Sequence, residues 1–159
     1  VNFLAQLHPP TVHFAIALTI TGLIFEILSL IFKKESLKHA GFWTFIFGVF
    51  AVWGAVLTGH EAEEVVEEFV SGKAKELLET HEDLGEMLPY IITVVGIMRI
   101  YAFLKNSVKV YYLFLIAGII TVGLIGFQGN LGGKLVYEHG VGVKAKVENI
   151  KYYKHEEED

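Results

Sequence analysis

The chain has 159 residues, 53% of them hydrophobic, with a formal net charge of -5 and no cysteine. Its length suits one domain. The acidic balance argues against a nucleic-acid partner, and the lack of thiols excludes disulfides, Cys-ligated iron–sulfur clusters and haem attachment through Cys-x-x-Cys-His.

The apolar residues fall into four dense runs, near 11–32, 40–58, 87–104 and 110–128. Each approaches or reaches the ~20 apolar residues that cross a bilayer core. Four soluble core helices would need polar outer faces, and these runs have none. The fold class predicted is all-α: a four-helix transmembrane bundle in residues 1–143, with a charged C-terminal tail at 144–159. The first run has no basic segment before it and no small-residue cleavage site, so it is expected to remain as a span rather than be removed as a signal peptide.

That first run opens with "LHPPTVHF" at 7–14. Prolines are free of cost at the first helical positions, which places His8 near the N-cap and His13 about a turn inside. Five residues turn two side chains ~140° apart, so the two histidines cannot share one helix face. His13, within the apolar segment, is the inward candidate. Glu26 lies further along the same run and Arg99 in the third. Both would be costly in lipid unless paired, so a Glu26–Arg99 ion pair with a structural role is predicted. Small residues mark seams where helices can approach closely: Ala15, Gly22 and Ser29 in the first run, and Gly41, Gly48, Ala55 and Gly59 in the second. In or after the fourth stand Gly118, Gly126, Gly129 and Gly133.

The link "KKESLKHA" between runs one and two and "KNSVK" between three and four hold five lysines against Glu35 alone. The 59–86 segment has only Lys73 and Lys75 among ten acids. Lysine-rich short loops stay in the cytoplasm. This predicts an inner (cytoplasmic) membrane protein whose termini and acidic loop between spans two and three are extracytoplasmic. Within that loop "THED" reads as a capping box, with Thr80 as N-cap starting the third helix at His81, and Pro89 is expected to bend that helix. "GNLGGKLVYEHGVGV" at 129–143 is too rich in glycine to be helical throughout, and should turn back over the surface to present His139.

Five of the seven histidines, His8, His13, His60, His81 and His139, thus gather at one face, with each span contributing. Histidines acting only as interfacial caps would scatter over both faces. A shared cofactor site follows, with neutral imidazole suited to b-type haem or to a transition metal. Two facing histidines would hold one haem b, and four could hold two. The favoured ligands are His13, His81 and His139, with His8 and His60 in reserve and Lys134 for the propionates. The alternative is a zinc, copper or iron site using the same histidines with Glu61, Glu82 or Glu138. No HExxH pattern supports a zinc protease. A third reading is a non-catalytic membrane subunit of a redox complex. An electron carrier suits the pattern better than an enzyme, with a redox protein or quinone as partner, the bilayer as surroundings, and a homo-oligomer left open.

"LHPPTVHFAIAL", "HEDLG" at 81–85 and "LGGKLVYEHGVGV" at 131–143 together resemble the bacterial four-helix membrane family DUF2231, over about residues 7–143. His8, His13, His81 and His139 match its motifs, whereas His60 is less typical of it. Glu26 stands where the family often has an acidic residue. The resemblance implies a four-helix fold. Members also occur beside Rieske and cytochrome-type modules, which implies redox work.

Overall fold

A computed structural model describes residues 3–143; the charged-tail prediction for 144–159, with His155, lies outside them. Four helices run in sequence: α1 (Phe3–Phe32), α2 (Glu35–Val66), α3 (Lys73–Lys105) and α4 (Val108–Tyr137). A single 3-10 turn, Glu67–Phe69, follows α2. At 1.5 Å per residue each helix is ~45–50 Å long, well beyond the ~30 Å hydrocarbon core. The helices therefore span and also protrude. All four are long and apolar enough to cross a membrane.

Adjacent helices form two hairpins, α1 with α2 and α3 with α4, joined through α2 against α3 and α1 against α4. The lysine-bearing links are two-residue turns. Lys33 takes a left-handed conformation in the first, as Asn106 does in the second. Ser107 then caps α4, its Oγ accepting from the Val110 amide. Phe45, Ile92 and Phe114 are fully buried at the centre, with the Phe45 and Phe114 rings edge to face at 5.2 Å. Phe14, Phe47, Phe50, Ile97, Ile116 and Ile120 point outward, as an apolar solvent demands.

The α1–α2 seam is a backbone contact. A Cβ on Gly22 would lie 2.6 Å from the Phe45 nitrogen, one on Gly41 2.8 Å from Glu26 Cγ, and one on Gly48 2.8 Å from Thr19 Cγ2. Each step down α1 from Thr19 through Gly22 to Glu26 is matched by an equal step up α2 from Gly48 through Phe45 to Gly41. The glycines thereby fix the hairpin's antiparallel register. Not every small residue of the fourth span serves this way: Gly118 meets Leu23 of α1, but Gly126 and Gly133 face open space.

Two local expectations are corrected, and a third is refined. Helix α1 starts at Phe3, so Pro9 and Pro10 lie inside it rather than at its first positions. Thr80 is no N-cap: α3 begins at Lys73, within a run of strong helix formers, and the Thr80 hydroxyl bonds back to the Glu76 carbonyl. The acidic segment is accordingly mostly a continuation of α2 and α3 rather than a loop. The segment 129–143 is, as expected, not helical throughout, but α4 carries Gly129, Gly132 and Gly133 within it and ends only at Tyr137. The helix closes where Gly140 adopts a positive φ and its amide donates to the Val136 carbonyl, the bond of an αL ending, with the Val141 amide donating to the Leu135 carbonyl.

Candidate functional site

Polar side chains collect inside the bundle at two levels. At the lysine-bearing end, the predicted ion pair is present: Arg99 Nε donates to Glu26 Oε1 at 2.6 Å, with both side chains buried. Tyr111 donates to the other carboxylate oxygen at 2.9 Å, a contact that the residues of α4 did not announce. Four rings, of Phe42, Tyr111, Phe114 and Phe103, surround the guanidinium, the nearest at 4.9 Å. Such faces partly compensate a desolvated cation.

At the acidic end the structure brings His8 and His81 into the interior. Buried positions of α1 recur at Ala15, Gly22 and Ser29, and His8 is the next step of seven towards the N-terminus. His13 lies off that stripe. Its ring is exposed and its Nδ1 donates to the Pro9 carbonyl of its own helix at 2.6 Å. The inward place expected for His13 therefore belongs to His8.

The His8 Nδ1 lies 3.0 Å from the Ala55 carbonyl and 3.3 Å from Thr58 Oγ1. A carbonyl only accepts, so Nδ1 carries the proton and Nε2 keeps its lone pair. The ring lies against Gly59, where a Cβ would come within 3.2 Å of it. His81 is seated similarly on α4: a Cβ at Gly132 would lie 3.1 Å from its Cε1. Gln128 donates to the His81 carbonyl at 2.7 Å, while His81 Nδ1 and Gln128 Oε1 are buried with no partner among the described residues. The two imidazoles are near enough for charge on one to be felt by the other. Four helices thus converge here: α1 and α3 supply the rings, and α2 and α4 the glycines beneath them.

The remaining histidines lie elsewhere. His60 is exposed on α2, its Nε2 3.5 Å from Glu86 Oε1 of α3. One ligand atom each of His60, Glu82 and Glu86 lies within 4.8 Å of the others. Burial, with the neighbouring Glu82 carboxyl beside it, pushes the pKa of the Glu63 carboxyl up to about 8. His139 is exposed just past α4, and Lys134 is exposed in its last turn. Of the favoured set, only His81 lies inside the bundle, and its companion there is His8.

Four long apolar helices with inward polar groups define a multi-pass membrane bundle. The family model described as predicted membrane protein (DUF2231) matches residues 5–145, and the chain belongs to that family. No curated protein and no solved structure matches the chain.

Proposed function

We propose that the protein is a membrane electron carrier whose His8 and His81 hold a b-type haem at the acidic end of the bundle. One observation carries the reading: two half-buried imidazoles lie at the same end of the bundle, one with its proton committed to a backbone carbonyl and the other with a buried ring nitrogen that has no partner among the described residues. A carbonyl-bound Nδ1–H is the arrangement that orients a ligating imidazole and raises its basicity. Gly59 and Gly132 fit the same role, because the rings could not sit so close to either backbone if a Cβ intervened. Haem iron held this way supplies one-electron chemistry. Thr58 and Ala55 hold the His8 tautomer, Gln128 ties α4 to the start of the His81 turn, and Lys134 is the cation for the propionates. By the distribution of lysines the acidic end is extracytoplasmic, where a redox protein or a quinone would exchange the electron.

The variant test is specific to this pair. In membranes from cells supplied with haem, His8→Ala and His81→Ala are each expected to lose the low-spin spectrum, while His13→Ala and His139→Ala retain it. Loss in the second pair with retention in the first would overturn the assignment.

A second reading is favoured by the His60, Glu82 and Glu86 group, which offers one nitrogen and two oxygens to a divalent ion. Glu82 and Glu86 are four residues apart and share a face of α3. On this reading zinc added to metal-free protein binds in one equivalent by mass-spectrometric metal analysis, and His60→Ala abolishes it. Equal zinc uptake by that variant would remove this site from consideration.

A further inference from the structure

Arg99 has more hydrogen-bonding capacity than its ion pair uses. Its Nε–H serves Glu26, yet Nη1 and Nη2, with four N–H groups between them, are buried with no acceptor among the described residues. The carboxylate meets the guanidinium through Nε alone, and its second oxygen accepts from Tyr111 instead. A guanidinium forms a fork suited to two acceptor oxygens, and here both prongs are idle.

The same residue lines a cavity of about 360 Å³ that opens at the lysine-bearing end, among the start of α2, the end of α3 and the start of α4. Lys38 and His39 of α2 line it, with Ser107 of the α3–α4 turn and Tyr111 of α4. Lys38 Nζ stands 5.9 Å above the Tyr111 ring. Its own carboxylate partner, Glu35, is mostly exposed and 3.7 Å away, a contact that water and salt weaken. Lys33, Lys34, Lys105 and Lys109 belong to the same end.

We propose that this cavity binds a phosphate group, whose oxygens accept from the Arg99 prongs at the floor and from Lys38 at the rim. The chemistry suits a phospholipid head group at the bilayer surface or a soluble phosphate equally. The site lies at the opposite end of the bundle from the histidine pair and is independent of the haem reading.

The test uses the full chain and follows thermal unfolding by circular dichroism, since a ligand that binds only the folded state raises the midpoint. In detergent, inorganic phosphate replaces chloride at constant ionic strength. In a phosphate-free maltoside detergent, a short-chain phosphatidylglycerol is compared with a short-chain diacylglycerol. A rise with inorganic phosphate identifies a soluble anion, and a rise with phosphatidylglycerol alone identifies a head group. In either case Lys38→Gln is expected to weaken the effect roughly tenfold, as for loss of one hydrogen bond to a charged group, and Lys73→Gln at the far end to leave it unchanged. No rise in either arm, or an undiminished rise in Lys38→Gln, overturns the proposal.

Discussion

Arg99→Leu is expected to cost about 3–5 kcal/mol of stability, the range for stripping a buried charge of its partner. Glu26 would keep only the Tyr111 hydroxyl, leaving a carboxyl group with no exposed surface and no cation beside it. Glu26→Leu should cost a similar amount, since the guanidinium would then have no acceptor and only ring faces around it. The double variant Glu26→Leu/Arg99→Leu removes both charges and should recover most of the loss, because an apolar pair suits a bundle interior in lipid. Thermal unfolding in detergent measures all three. Singles as stable as the double would show that the pair carries no coupling and that its role in the core has been misread.

Gly22→Ala and Gly126→Ala are expected to move stability in opposite directions. In a helix interior alanine is better than glycine by about 1 kcal/mol. At Gly126 nothing lies within 4 Å of the added methyl, so that gain should be realised or remain neutral. At Gly22 the methyl would meet three Phe45 atoms, two of them backbone, at under 3 Å. The helices must then separate, and overpacking of this kind costs about 1–3 kcal/mol. The two substitutions add the same group to apolar helices, so the contrast isolates packing from hydropathy. Equal effects at both sites would contradict a glycine-set register.

The reasons some features were legible in the sequence are physical. Spans could be read because lipid requires apolar side chains on outward faces as well as inward ones. Glu26 and Arg99 stood out as the charges such an environment cannot leave unpaired. Tyr111 was hidden because a tyrosine near a helix start is ordinary at an interface, and only the fold brings its hydroxyl to Glu26. The histidines divided by a signal that was available: His8 continues the seven-residue series of Ala15, Gly22 and Ser29, whereas His13 does not. Proline chemistry obscured it, since placing the helix start at Pro9 drew attention to the next turn. The chain was read to leave the helix within 129–143, which it does, though only after Tyr137. Glycine propensity argues against helix at 129–133, but neighbours packed against Gly132 and Leu131 override it. His60 approaches Glu82 and Glu86 because α2 and α3 continue as helices beyond the apolar runs.

The most direct test is an absorption spectrum of the detergent-purified chain, expressed with ample haem, recorded oxidised and after dithionite reduction and quantified by pyridine haemochrome. The account predicts a sharp Soret band that shifts on reduction, resolved bands at longer wavelength, and non-covalent haem b in near-stoichiometric amount. A featureless visible spectrum from folded protein would contradict it.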